Sequence, residues 1–182
     1  MGKLIETKIK DLYVIEPKVF EDSRGYFLES FNQRVFKELG LETIFVQDNQ
    51  SLSQKGVVRG LHYQNPDKSQ IKLIKVVSGS ILDVAVDIRK ESPTYGQHVS
   101  TILSSDNKRM FYVPHGFAHG FLTLEDNTVV QYKCSDFYSK EHEGGIMWND
   151  KDLDINWGIN FIPVVSDKDK NNVHFKDLKT LF

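Results

Sequence analysis

The chain has 182 residues, of which 40% are hydrophobic, 12% aromatic and 26% charged. This composition is typical of a globular protein and excludes the collagenous, low-complexity and disordered classes. A formal net charge of -2 provides no field to attract nucleic acid or an anionic membrane. Because no repeat or linker divides the chain, we expect one domain over residues 1–182. The single Cys134 and the absence of a signal-like N-terminal segment predict a cytoplasmic protein.

The first predicted element along the chain is a short helix over residues 32–39, with Asn32 as its cap and Gly40 as its stop. The later apolar runs predict strands, at residues 72–77, 81–88, 99–103 and 128–134. Turn pairs separate these runs at short intervals, which is typical of an antiparallel sandwich or barrel. The polar tail over residues 167–172 is predicted to be a surface loop. The chain is therefore predicted to be mainly β.

Alternation along the predicted strands separates two kinds of side chain. In the strand at 81–88, one face carries four aliphatic residues and the other carries Asp83 and Asp87. In the strand at 128–134, Tyr132 and Cys134 share a face, and core packing is the simplest role for both. Each strand is thus expected to separate two different environments.

Two segments hold polar residues in an unusual setting. Arg59 precedes His62 by three residues, a spacing that allows either an ordinary surface pair or a phosphate contact beside a proton acceptor. His119 lies between Gly116 and Gly120 among aromatic residues. It is either a hydrogen-bonded core histidine or a residue that handles protons. Spacing alone leaves both alternatives open.

The segment around His119 also raises the question of a metal. The pattern Pro-x-Gly-x-x-His at residues 114–119 resembles the second motif of the cupin superfamily, whose barrels often hold a metal. The earlier stretch has His62 followed by Gln64 where a second histidine would stand, and no glutamate comes soon after. An amide is a poor substitute for imidazole or carboxylate. We therefore predict no metal, and a β-barrel whose histidines face a cavity.

Taken together, seven motifs resemble one known family over residues 14–170. They are Phe20-x-Asp22-x-Arg24-Gly25-x-Phe27-x-Glu29, Gln47-Asp48-Asn49, Gly56-Val57-x-Arg59-Gly60-Leu61-His62, Pro114-x-Gly116-Phe117-Ala118-His119-Gly120-Phe121, Tyr132-x-Cys134, Glu143-x-Gly145-Ile146-x-Trp148-Asn149-Asp150 and Ser166-x-Lys168-Asp169. The pattern resembles the dTDP-4-dehydrorhamnose 3,5-epimerase family. The resemblance implies a double-stranded β-helix of the cupin or jelly-roll type with a few short helices. It also implies a homodimer without cofactor or metal.

The reaction implied by this resemblance is proton transfer at C-3 and C-5 of dTDP-4-dehydro-6-deoxy-D-glucose, whose C-4 ketone acidifies both positions. By resemblance His62 is the base, Asp169 orients it, Tyr132 donates a proton from the other face and Lys72 stabilises the enolate. The resemblance further implies substrate contacts at Arg24, Glu29, Gln47, Asp48, Asn49, Arg59, His119, Tyr138, Glu143 and Lys168. In the family, the stretch from Arg24 to Glu29 can reach the neighbouring subunit's site, and Tyr138 is expected near the thymine.

Three rival functions remain open at this point. The first is a one-centre epimerase or a ketoisomerase acting on a related 4-keto nucleotide sugar. The second is a non-catalytic module that binds a nucleotide sugar, and the third is a metal-dependent cupin oxygenase or isomerase. His62, Lys72, Tyr132 and Asp169 are all present, which favours epimerisation at both centres.

Overall fold

The computed structural model describes residues 2–182 and consists largely of antiparallel strands. The strands are β1 (Lys3–Glu6), β2 (Tyr13–Glu16), β3 (Val19–Asp22), β4 (Gly25–Leu28), β5 (Gln47–Ser53), β6 (Val57–Gln64), β7 (Lys72–Ser78), β8 (Ser80–Asp87), β9 (His98–Ser104), β10 (Met110–Val113), β11 (Phe117–Thr123), β12 (Thr128–Cys134), β13 (Glu143–Gly145) and β14 (Val164–Val165). The helices are α1 (Gln33–Glu38), α2 (Asp167–Lys170) and a 3₁₀ turn at Phe175–Asp177.

Two sheets face each other as a jelly roll of the cupin type. The first sheet has the order β1-β2-β10-β7-β12-β5, and the second has the order β13-β6-β11-β8-β9, with β14 added parallel to β6. Strands β3 and β4 form a separate hairpin. The mainly β, double-stranded β-helix fold expected from the sequence is confirmed.

The buried apolar residues form three layers. The layer between the two sheets includes Ile74 and Val76 of β7 and Ile81 of β8, so alternate residues of each strand point inward. A second layer lies where the C-terminal segment, with Trp157, covers the outer face of the second sheet. A third layer forms where Phe36 of α1 packs on the outer face of the first sheet. The inward layer fills only part of the barrel, and a cavity occupies the rest.

Most of the predicted elements are present in the structure. The Asn32 side chain caps α1 by accepting a hydrogen bond from the backbone of Arg34. The predicted strands correspond to β7, β8, β9 and β12 within one or two residues at each end. The tail was predicted wrongly, because α2 forms there and Asp169 is buried. Composition could not reveal this, since most residues of that polar run are exposed and Asp169 is the buried exception.

The two faces of β8 separate as the alternation predicts. Val84 and Val86 pack beneath the C-terminal segment, whereas Ile81 and Ala85 belong to the layer between the sheets. Asp83 lies between those two residues in the inward-facing alternation and is completely buried. The acidic face of this strand therefore points into the barrel and not to solvent.

Candidate active site

A cavity of about 470 Å³ opens between the two sheets. Lys72 of β7 and Tyr132 of β12 line it from the first sheet, while His62 and His119 line it from the second. A neighbouring lobe of about 420 Å³ shares His62, Lys72 and Tyr132 with it. These three residues therefore stand where the two lobes meet.

An irregularity in β6 places Arg59 and His62 in the same cavity. Residues three apart in a regular strand point to opposite faces. Here His62 pairs with His119 and Arg59 pairs with Phe121, so three steps along β6 match two steps along β11. The extra residue is a β-bulge, which restores both side chains to one face. A Cβ on Gly60 would lie 2.5 Å from the Cα of Gly120, so this close approach requires glycine.

His62 forms a dyad with Asp169, which is 107 residues away in sequence. The Nε2 of His62 lies 2.5 Å from Oδ1 of Asp169, and Oδ2 of Asp169 accepts from the backbone N–H of Gly60 at 3.1 Å. Burial raises the pKa of Asp169, but hydrogen bonds from His62, Gly60 and Ser166 lower that pKa below its ordinary value. Because an ionised carboxylate only accepts hydrogen bonds, Nε2 carries the proton and Nδ1 is left as the basic nitrogen.

His119 forms a second pair of the same kind. Its Nε2 lies 2.6 Å from Oδ1 of Asp83, and both residues are buried. His119 is therefore a hydrogen-bonded core histidine and also a residue of the cavity wall. Of the two alternatives left open by the sequence, the hydrogen-bonded core histidine is observed, and a role in proton transfer stays a prediction.

The first sheet contributes a phenol and an ammonium group. Burial is the main reason why the pKa of Tyr132 lies above its ordinary value, so the phenol holds its proton at neutral pH. Burial also lowers the pKa of Lys72, against the opposing effect of Cys134, Asp83 and Glu143. A protonated phenol thus faces the dyad across the cavity, with a lysine beside it.

A polar cluster forms the rim of the smaller lobe. The Tyr138 hydroxyl donates to Oε2 of Glu143 at 2.9 Å, and Lys168 forms an ion pair with Oε1 of Glu143 at 2.5 Å. Gln47 donates to Asn49 at 3.1 Å and accepts from the backbone N–H of Tyr138 at 3.0 Å. Gln47, Asn49, Tyr138 and Glu143 line the smaller lobe, while Lys168 lines the larger one.

Three residues expected in the site lie elsewhere in this chain. Asp48 points to the opposite face of β5 from Gln47 and Asn49, where it pairs with Lys133 at 3.0 Å. Arg24 is exposed and pairs with Asp22 at the tip of the β3–β4 hairpin, and Glu29 accepts from the side chain of Asn32. None of the three lines either lobe of the cavity.

Gln64 stands where metal-binding cupins have a metal ligand, and its side-chain amide forms hydrogen bonds with backbone groups. Its amide donates to the carbonyls of Lys68 and Phe137 and accepts from the backbone N–H of Ser139 at 2.7 Å. Within residues 2–182, no three His, Cys, Asp or Glu side chains are grouped to hold a metal ion. Gln64 thus ties two loops together at the end of β6.

Sequence reasoning missed two polar residues of this site. Asp83 bonds His119, and the hydroxyl of Ser51 is buried in the wall of the larger lobe. For Asp83, the sequence feature that could have identified it is an acidic residue on one face of a strand whose other face is apolar. The sequence could not say whether that face would meet solvent or the barrel interior.

The fold and the site together define an acid–base enzyme of the cupin type, with two histidine–carboxylate pairs, a lysine and a protonated phenol around one cavity. In residues 2–182, no helix is both long and apolar enough to span a bilayer.

Comparison with known proteins identifies the family. A family model described as dTDP-4-dehydrorhamnose 3,5-epimerase matches residues 6–177. A Shigella flexneri protein of that description is 53% identical over 175 residues, covering 96% of each chain. The structure of dTDP-6-deoxy-D-glucose-3,5-epimerase from Legionella pneumophila in complex with dTDP-4-keto-L-rhamnose has a TM-score of 0.94 at 46% identity, covering 98% of this chain and 95% of that one. The Bacillus anthracis dTDP-4-dehydrorhamnose 3,5-epimerase with TDP and PPi bound has a TM-score of 0.93 at 48% identity, covering 96% of this chain and 99% of that one. The chain belongs to the dTDP-4-dehydrorhamnose 3,5-epimerase family.

Proposed function

We propose that His62, Asp169, Tyr132 and Lys72 carry out the reaction of this family in the present chain. The chain catalyses epimerisation at C-3 and C-5 of dTDP-4-dehydro-6-deoxy-D-glucose to dTDP-4-dehydro-L-rhamnose. The observation that carries the assignment of roles is that His62 and Tyr132 line one cavity from opposite sheets. Inversion at a carbon requires a base on one face and an acid on the other.

The proposed sequence of proton transfers starts at Nδ1 of His62. This nitrogen removes the proton from a carbon next to the C-4 ketone, and Asp169 stabilises the resulting imidazolium. The electron pair left on carbon delocalises to the C-4 oxygen, where the ammonium of Lys72 stabilises the enolate. The phenol of Tyr132 then donates its proton to the opposite face of the same carbon. Exchange with solvent then removes the proton from His62 and returns one to Tyr132, so that repetition at the second carbon inverts both centres and no electrons leave the sugar.

The remaining residues of the cavity supply contacts for the dTDP part. Arg59 and Lys168 line the larger lobe, and guanidinium and ammonium groups pair well with a diphosphate. The smaller lobe offers the amides of Gln47 and Asn49 and the exposed ring of Tyr138, which suit a pyrimidine base. The positively charged groups thus line the larger lobe, where they suit a diphosphate, and the amides line the smaller lobe, where they suit the base.

We also propose that the protein is a cytoplasmic homodimer in which the β3–β4 hairpin completes the partner's site. The hairpin exposes Phe20, Tyr26 and Phe27, with 51%, 56% and 66% of their surfaces accessible. Exposed aromatic clusters of this kind commonly mark an interaction surface. Arg24 and Glu29 lie at the two ends of β4 and outside the cavity of their own chain, which supports a role in the neighbouring one.

Incubation with dTDP-4-dehydro-6-deoxy-D-glucose in D₂O tests the proposed function. Deuterium at both C-3 and C-5 of an inverted product supports two-centre epimerisation, and proton NMR locates the label. Deuterium at a single carbon would instead identify a one-centre epimerase. Binding of dTDP without any exchange would identify a non-catalytic module.

A further inference from the structure

Asp83 is a buried carboxylate that the mechanism above does not use. It lies on β8, opposite Phe121 of β11 and Thr101 of β9, with none of its surface exposed. Oδ1 accepts from Nε2 of His119, whereas Oδ2 is buried without a hydrogen-bond partner in the part of the chain that the structure describes. A half-satisfied buried carboxylate costs stability compared with an apolar residue. Its presence therefore calls for a reason other than stability.

The hydrogen bond from His119 determines which ring nitrogen is available inside the cavity. A carboxylate accepts from Nε2, so Nε2 carries a hydrogen and Nδ1 is the nitrogen left for a ligand. His119 stands directly opposite His62 in the adjacent strand. The two imidazoles are thus each held at Nε2 by a separate buried carboxylate.

The charge of Asp83 also acts on Lys72. Within residues 2–182, Lys72 forms no ion pair at salt-bridge distance. Burial lowers its pKa, while Cys134, Asp83 and Glu143 raise it. Other titratable or charged groups that share the cavity wall with Lys72 are His62 and Arg59 of β6, His119 of β11, Tyr132 of β12, and Lys168 and Asp169 of α2. Asp83 and Glu143, which both belong to the second sheet, are the carboxylates that favour the charged form of Lys72.

We propose that Asp83 is a positioning residue for the epimerisation, which fixes the orientation and tautomer of His119 and supplies negative charge beside the cavity that Lys72 lines. The proposal rests on the proposed function, in which Lys72 stabilises the enolate, and on the substrate contact that the family resemblance implies for His119. Asp83 itself lies outside the set of residues that line the cavity. It acts through His119 and Lys72 and touches no reacting atom.

The substitution Asp83→Asn tests this role with almost no change in volume. We expect kcat to fall roughly ten- to a hundredfold, as is typical when the hydrogen-bond partner that orients a site residue is lost, with dTDP affinity little changed because the proposed base contacts line the other lobe. The alkaline limb of kcat against pH should move to lower pH, because Lys72 loses a negative neighbour and its proton is released more easily. The wild-type protein is assayed first for exchange in D₂O. If the wild-type protein shows no exchange, the proposed function is refuted. If the wild type is active and only Asp83→Asn is impaired, the proposed function stands and the result concerns the role of Asp83.

Asp87→Asn is the matched control. Asp87 lies four residues along the same strand on the same face, is equally buried, and bonds Arg89, Ser92 and Thr94 away from the cavity. We expect this variant to lose thermal stability while its pH profile stays that of the wild type. If Asp83→Asn behaves in the same way, Asp83 is structural and the proposal is overturned.

A measurement on the wild-type protein keeps the proposal testable if Asp83→Asn does not fold. Long-range proton–nitrogen NMR of ¹⁵N-histidine-labelled protein distinguishes the two neutral tautomers, and His119→Asn identifies the resonance by its loss. We expect His119 to carry its hydrogen on Nε2. A neutral ring protonated at Nδ1 alone would refute the assigned hydrogen bond.

Discussion

His62 and His119 stand directly opposite each other in adjacent strands, and each directs its Nε2 to a different buried carboxylate. The carboxylates come from distant parts of the chain, Asp169 from α2 and Asp83 from β8. Fixing Nε2 in this way leaves Nδ1 of each ring as the free nitrogen. The pair therefore offers two oriented imidazoles on one wall of the cavity, opposite the lysine and the phenol of the first sheet.

Replacing His62 by Asn removes the proposed base while preserving much of its volume. Deuterium exchange at both C-3 and C-5 should fall by about a hundredfold or more, because the catalytic contribution of a positioned base is of that order. Proton NMR in D₂O measures the exchange at each carbon.

His174→Asn provides the matched control for this prediction. His174 forms a similar pair with Asp150, at 2.9 Å, but lies outside the cavity. We expect turnover close to that of the wild type. Rapid exchange at both carbons in His62→Asn would assign the base to another residue.

Replacing Tyr132 by Phe separates exchange from inversion. His62 still removes protons and returns them to the same face, so solvent exchange should continue, whereas inversion should be strongly impaired. The ratio of inverted product to deuterated substrate, measured by NMR, reports this difference. Tyr112→Phe is the control, since that hydroxyl bonds Thr43 at 2.6 Å outside the cavity. An unchanged ratio in Tyr132→Phe would contradict the acid role and leave core packing as its function.

The dyad also predicts a pH dependence of stability. Because the folded-state pKa of Asp169 lies below its ordinary value, the ionised carboxylate stabilises the folded protein at pH values above the unfolded pKa of about 3.9. This contribution should disappear as the pH falls through the lower folded-state pKa. The difference in free energy of unfolding between wild type and Asp169→Asn should therefore shrink on acidification. Denaturant unfolding at a series of pH values measures it, and a difference that grows on acidification would contradict the prediction.

Because the side-chain amide of Gln64 is hydrogen-bonded to backbone groups, we predict that the enzyme works without a metal. We expect activity to persist after exhaustive treatment with a chelator, and the purified protein to hold no stoichiometric metal by elemental analysis. Loss of turnover on chelation, with recovery on adding one divalent ion, would show that a metal takes part.

Mixing two inactive variants tests whether the hairpin completes the partner's site. Arg24→Ala and His62→Asn should each have low activity alone. After unfolding and refolding together, roughly a quarter of the wild-type sites should be active, because half of the dimers are mixed and each mixed dimer has one intact site. Native mass spectrometry of the refolded mixture measures the fraction of mixed dimers. No recovery in mixtures shown to contain mixed dimers would place Arg24 outside the partner's cavity.

The sequence by itself determined the local elements and the two sides of each strand. Tyr132 and Cys134 share the inward face of β12, and Asn32 caps α1, because strand alternation and helix capping depend on neighbouring residues alone. The family motifs added the roles expected of His62 and Lys72, and these residues do lie around one cavity.

Only the tertiary structure decided which face of each strand became the interior and which distant residues meet there. Asp83 points inward because the C-terminal segment covers the other face of β8, and Asp48 points outward because of the register between β5 and β12. The β-bulge brings Arg59 and His62 to one side, and the last short helix carries Asp169 to the dyad. These outcomes depend on pairing between segments far apart in the chain, which local periodicity does not encode.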